Sequence, residues 1–310
     1  MCSLTYNYPW TPSGSSMYDL SFKIGHKIYL IDNGRMSCFD TKIQKWEWVP
    51  GRLPSRFQDS SWAELNGKVY VWSYKDLYEF DPDGQSWKNT DIPNRDFRTH
   101  VCNIGSAGLG NCIYTFVASQ KYSAIDIVNV ETKQRTTHHM NDFDFTTYHP
   151  EDRSSDDMNL VAYNGSIYGF MFRRKTVMRI YKLVDGEFTV VRTIGNMTTK
   201  FWYNSCSTSG NLVYFYQHQY KLNAIIRVFN MESLKWSVIH LKDEYKQLPF
   251  SIRDFYCIGG VFYGLWRKER LRLGMIMLEP NPSLLTRCLI TLANHFTKDP
   301  IVREKMKTIK

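Results

Sequence analysis

Several features that would narrow the function of this 310-residue chain are missing from it. No run of about 18 apolar residues occurs, so no membrane-spanning helix is expected. The opening stretch, MCSLTYNYPW, lacks the basic-then-apolar layout of a secretory signal. That points to a cytoplasmic or nuclear protein without a membrane partner. The seven cysteines (Cys2, Cys38, Cys102, Cys112, Cys206, Cys257 and Cys288) are odd in number and form no CxxC pair. A disulfide framework and a zinc knuckle are thereby disfavoured, leaving reduced thiols packed as small apolar groups. Without a secretory route, the sequons at Asn164-Gly-Ser and Asn196-Met-Thr read as coincidental.

Catalytic signatures are absent too. There is no Gly-rich nucleotide loop, no HExxH and no GxSxG, and the carboxylates are scattered. The expectation is a non-enzyme with no catalytic residue, no metal and no cofactor. Lys and Arg outnumber Asp and Glu, 39 to 30, for a formal charge of +9. No basic block concentrates that charge, so it favours acidic partners in general and carries no nucleic-acid signature.

What the chain does have is aromatic and repeated. It is 43% hydrophobic and 15% aromatic, enough for a large core. A Gly, an aliphatic residue and a Tyr recur as GHKIY, NGKVY, GNCIY, NGSIY, GNLVY and GGVFY, ending at Tyr29, Tyr70, Tyr114, Tyr168, Tyr214 and Tyr263. The spacings between these tyrosines are 41, 44, 54, 46 and 49 residues. A second element follows most copies. Asp40, Asp81, Asn230 and Lys182 each stand six residues before an aromatic: Trp46, Trp87, Trp236 and Phe188. The third copy, NVETKQRTT, has the polar turn without the aromatic.

Each unit therefore reads as a meander of four short antiparallel strands. Six units predict an all-β, six-bladed β-propeller over residues 1–280. The sixth copy lacks its own Trp strand, so LTYNYPW, with Trp10 in the Trp position, is expected to complete the last blade and hide its edge.

The Tyr strand, the Asp-to-Trp turn and the Pro-x-Arg that follows (Pro54 and Arg56; Pro93 and Arg95) make this region resemble the kelch-repeat family. The Gly-Gly pair that kelch repeats usually carry after the Tyr strand is not present. LIDNG, VWSYK and FVASQ stand there instead.

Residues 281–310 read as a short α-helical tail. Ser283 suits an N-cap, and Leu284, Cys288 and Leu292 share one face, broadened by Leu285, Leu289 and Phe296. Such a stripe could cap the propeller, form a dimer seam or serve as a plain amphipathic tail. Its spacing also resembles a BC box, the helix that docks on elongin C, with Leu284 as anchor and small Cys288 permitting close approach.

A kelch propeller followed by a BC box resembles the kelch domain-containing substrate receptors of cullin–RING ubiquitin ligases. That resemblance implies elongin C, elongin B and a cullin as partners, beside a substrate protein. The Leu-Pro-x-Pro element that would indicate cullin-5 is absent from TKDPIVREKMKTIK, so cullin-2 is the expected cullin. The alternative is a non-catalytic kelch scaffold that uses the helix to dimerise.

Loops leading into the innermost strands often carry a propeller's ligand. Counting back from the repeat tyrosines places Arg56, Arg98, Arg153 and Lys200 14 to 16 residues upstream, with Arg253, ten before Tyr263, as a further member and Trp202 and Tyr203 beside Lys200. These residues either pair with neighbouring blades or form a basic, aromatic-edged mouth for an acidic or C-terminal carboxylate peptide. The longest insertion holds His138, His139, Asp142, Asp144 and His149 at no recognised ligand spacing, which suits a polar surface loop.

Overall fold

A computed structural model describes residues 2–7, 20–32, 34–51, 53–54, 57, 61–73, 76–93, 102–118, 123–140, 158–173, 177–194, 206–217, 225–240, 251–268 and 272–279. The chain opens with β1 (Cys2–Asn7). Five sheets of four consecutive strands follow. The first holds β2 (Leu20–Ile24), β3 (Lys27–Asp32), β4 (Arg35–Asp40) and β5 (Lys45–Val49). The second holds β6 (Trp62–Leu65), β7 (Lys68–Trp72), β8 (Asp76–Asp81) and β9 (Ser86–Pro93). The third holds β10 (Cys102–Leu109), β11 (Cys112–Ala118), β12 (Ser123–Asn129) and β13 (Arg135–His139). The fourth holds β14 (Met158–Tyr163), β15 (Ser166–Arg173), β16 (Val177–Val184) and β17 (Glu187–Ile194). The fifth holds β18 (Cys206–Ser209), β19 (Leu212–Gln217), β20 (Ile225–Asn230) and β21 (Lys235–His240). The last sheet combines β22 (Ser251–Ile258), β23 (Val261–Lys268) and β24 (Arg272–Glu279) with β1 from the start of the chain. There Cys2 pairs with Glu279 and Asn7 with Gly274. The architecture is an all-β β-propeller: five blades from contiguous sequence and one sheet shared by distant segments.

The repeat tyrosine holds one structural position throughout. Tyr29, Tyr70, Tyr114, Tyr168, Tyr214 and Tyr263 are each the third residue of the second strand in their sheet. The apolar residue before each (Ile28, Val69, Ile113, Ile167, Val213 and Phe262) is no more than 1% exposed. Burying such a side chain contributes about 1.5–3 kcal/mol, so this single recurring position supports every blade. The glycines before it serve the first hairpin. Asn66 and Gly67 turn the chain with φ of 53° and 74°, the left-handed pair that a two-residue hairpin requires.

The second recurring element has an equally local basis. Asp40, Asp81, Asn129 and Asn230 each turn a side-chain oxygen onto two backbone N–H groups two and three residues ahead, at 2.8–3.3 Å. This local bond closes the turn between third and fourth strands. The residue before the turn then lies opposite the tryptophan after it: Phe39 against Trp46, Phe80 against Trp87 and Phe229 against Trp236. Their ring centroids are 5.3, 4.9 and 5.0 Å apart. Cross-strand aromatic pairs of this kind set register as well as energy.

The fourth copy differs. Asp185 and Gly186 make a two-residue turn there, and Phe188 pairs with Leu183. The six-residue spacing from Lys182 is thus the same count produced by a different turn.

Neighbouring sheets pack face to face around the whole circuit. Buried clusters join the first sheet to the second, the second to the third, the third to the fourth, and the fourth to the fifth. Tyr214 against Phe262 and Tyr216 against Phe255 join the fifth to the last. Ile28, Leu30 and Phe39 meet Tyr256, Tyr263 and Leu265 to join the last to the first.

Outer edges are blunted by local devices. β17 exposes Val190 and Val191, but the pairing of β16 with β17 is interrupted by a bulge between Ile180 and Tyr181. β9 is bulged as well and ends in Pro93. Among the described residues Cys38, Cys112, Cys206 and Cys257 are free thiols.

β10 sits so tightly between its neighbours that two of its glycines are sterically required. A Cβ on Gly108 would lie 2.3 Å from the Glu64 carbonyl oxygen, and one on Gly105 would lie 2.4 Å from that of Met158. Both obstacles are backbone, so relief needs a shift of a whole strand. Gly105→Ala and Gly108→Ala are each expected to destabilise the fold by about 1–3 kcal/mol. Urea unfolding midpoints of the two variants measure this, and wild-type midpoints would remove the steric account.

Candidate functional site

The innermost strands β2, β6, β10, β14, β18 and β22 jointly line a central cavity of about 330 Å³. One strand comes from each sheet, so the cavity runs along the axis of the propeller. Its two ends differ. One faces the hairpin turns between first and second strands, and the other faces the connections that lead into the innermost strands.

Toward the connection end the wall is polar and mostly paired with itself. The Ser21 hydroxyl donates to Asp254 Oδ2 at 2.6 Å and lies 2.7 Å from the Tyr256 hydroxyl. This three-way contact ties the first sheet to the last beside the cavity. Ser106 donates to Ser61 at 2.9 Å and shares a hydrogen with Thr115 at 3.0 Å. Trp72 Nε1 donates to the same Thr115 hydroxyl at 2.9 Å. The backbone N–H of Cys257 donates to Ser207 Oγ at 2.7 Å, joining the fifth sheet to the last. Polar groups buried this far from water are costly unless paired, so the network is part of what holds the sheets together.

Toward the turn end the penultimate residue of each innermost strand occupies the same level: Lys23, Glu64, Gly108, Ala162, Thr208 and Cys257. Two of the six are charged and stand on adjacent sheets. Glu64 keeps contact with solvent, yet the surrounding walls displace enough water to raise its carboxyl above the ordinary glutamate pKa, an effect that Lys23 partly offsets. The Cys206 thiol, buried beside the same cavity, is pushed up to about 12 by loss of solvent.

The residues singled out from sequence fall elsewhere. Arg56, Arg98, Arg153, Lys200, Trp202 and Tyr203 lie outside the described residues, as do Trp10 and the tail residues Ser283, Leu284, Cys288 and Leu292. Arg253 is in β22 where the pairing with β23 skips from Ile252 to Asp254, so its backbone forms a bulge at the connection end. Phe57, next to Arg56, is fully buried against Tyr78 and Trp87 of the second sheet, with ring centroids 5.9 and 5.0 Å away. Of the histidine-rich insertion, His138 and His139 belong to β13, and Asp142, Asp144 and His149 lie outside the described residues. Among the described residues no group of three His, Cys, Asp or Glu is arranged to hold a metal.

Sequence reasoning passed over Lys23, Glu64 and Asp254. The available signal was positional, since each innermost strand ends one residue before its hairpin turn. The six residues at that level share no chemistry, which is why the repeat did not advertise them.

No protein-family model matches the chain, and no curated protein matches it in sequence. In three dimensions it is similar to the SapL1 lectin in complex with alpha methyl fucoside, with a TM-score of 0.50 and 8% identity over 78% of this chain and 84% of that one. It is also similar to the N-terminal domain of Nup159 (TM-score 0.42, 10% identity, 83% and 74% covered). A third likeness is to TolB from Acinetobacter baumannii (TM-score 0.43, 10% identity, 88% and 63% covered). At such identities the lectin likeness speaks for the β-propeller fold and for nothing finer.

Two outcomes follow from this geometry. Ser21→Ala removes the group shared by Asp254 and Tyr256 and should cost about 1–3 kcal/mol, read from urea unfolding. Glu64→Gln acts in the other direction. Because folding raises the Glu64 pKa, its ionised form disfavours the folded state, and wild-type stability falls as pH rises from the unfolded toward the folded value. The variant should therefore melt above wild type at pH 7. That gap should close as pH falls below the ordinary glutamate range, and a gap that widened in acid would contradict the assignment.

Proposed function

We propose that this protein is the substrate-recognition subunit of a cullin–RING ubiquitin ligase. Its propeller is a six-bladed ring of kelch type that holds a substrate protein, and residues 281–310 form a BC box that recruits elongin C and elongin B and, through them, cullin-2. The protein performs no catalysis itself. Cytoplasm or nucleus is the compartment in which it meets these partners.

One observation supports this reading above the others. Among the described residues the last sheet reaches Glu279, and β1 takes the fourth place beside β24. The last blade thus has its four strands without drawing on the sequence from Leu284 to Phe296, whose apolar spacing suits an elongin groove. On the substrate side, Arg56, Arg98, Arg153, Lys200 and Arg253 with Trp202 and Tyr203 are the proposed contacts. A planar guanidinium there takes a carboxylate by two parallel hydrogen bonds.

Co-purification tests the proposal. The intact chain is expected to retain elongins B and C through size exclusion, and Leu284→Ala combined with Cys288→Phe to lose them. Removal of the anchor leucine alone should weaken binding by about 30-fold, the equivalent of a 2 kcal/mol hot spot. An intact chain that elutes as an elongin-free dimer would establish the scaffold alternative in its place.

A further inference from the structure

The cavity holds two opposite charges that the protein leaves apart. Lys23 and Glu64 line it at one level on adjacent innermost strands, yet neither makes an ion pair or hydrogen bond among the described residues. The hydroxyls nearby are already engaged: Ser21 with Asp254 and Tyr256, Ser106 with Ser61 and Thr115. Asp254, the other carboxylate of the wall, is already held by Ser21, so a guest meets the Lys23 ammonium and the Glu64 carboxylate at the turn end, set in a polar wall. A guest bearing a single charge would engage only one of the two. A guest bearing both charges would satisfy both.

Size narrows the class further. About 330 Å³ lies at the small end of ligand cavities, large enough for a metabolite of amino-acid size and too small for a folded peptide. We propose that the axial cavity binds a free α-amino acid as its zwitterion, the α-carboxylate on the Lys23 ammonium and the α-ammonium on the Glu64 carboxylate. The solvent contact of Glu64 makes the hairpin-turn end the route of access. This site is separate from the loops assigned to a substrate protein, and its test does not involve elongin.

Equilibrium dialysis of the full chain against the twenty L-amino acids, each at about 1 mM, reads the site directly. The expected result is enrichment of at least one of them, weakened about tenfold or more by Lys23→Met and, independently, by Glu64→Gln. The N-acetyl and methyl-ester derivatives of the retained amino acid, each lacking one charge, are expected not to be held. Glu64→Gln preserves shape, so it decides the matter even if Lys23→Met fails to fold. Retention of no amino acid overturns the proposal. So does retention unaffected by either variant, or equal retention of a singly charged derivative or of inorganic phosphate.

Discussion

A ring of sheets has one contact that no local sequence can specify, the one where its last member meets its first. Here it is made three times over at different radii. At the axis, Ser21 joins Asp254 and Tyr256. In the middle, Ile28, Leu30 and Phe39 interlock with Tyr256, Tyr263 and Leu265. At the rim, β1 pairs with β24 along six residues. Each of the other five junctions joins neighbours in sequence, so chain connectivity already holds them near one another. This one joins segments more than 200 residues apart, and its contacts must offset a far larger loss of chain entropy. The cavity and the level shared by Lys23 and Glu64 both depend on it.

The blade interior was readable because its signals are local. A tyrosine at the third place of each second strand, a buried residue before it, and an Asx turn feeding a tryptophan all lie close together along the chain. Hydrogen bonding to one's own backbone needs no knowledge of the rest of the fold. The fourth unit shows the limit of such counting. Lys182 and Phe188 keep the interval but reach it through Asp185-Gly186, a shorter turn with different pairing. Spacing alone does not distinguish a four-residue loop from a two-residue one when strand ends move to compensate.

The axial residues were illegible for the opposite reason. Lys23, Glu64, Ala162 and Thr208 come to line one cavity only once the sheets converge, and nothing near any of them in sequence announces it. The same holds for Gly105 and Gly108. In sequence they belong to a glycine-containing strand, CNIGSAGL, that reads as weak, since glycine in a strand interior usually loosens it. In the structure they mark the closest approach between sheets, where any side chain would meet backbone. Residues that serve packing between units thus escape a repeat search, whereas residues that shape a unit from within are found by it.

The pairing of β1 with β24 also governs how the molecule responds to tension. Cys2 and Glu279 face each other at the same end of an antiparallel ladder. Pulling on the chain beyond either residue therefore loads the hydrogen bonds in series, so that they break in succession as a zipper opens. Shear geometry, in which all of them resist together, is not available to this pair. A machine that draws the polypeptide in past either end of this ladder would open its hydrogen bonds one after another, beginning at the Cys2–Glu279 pair.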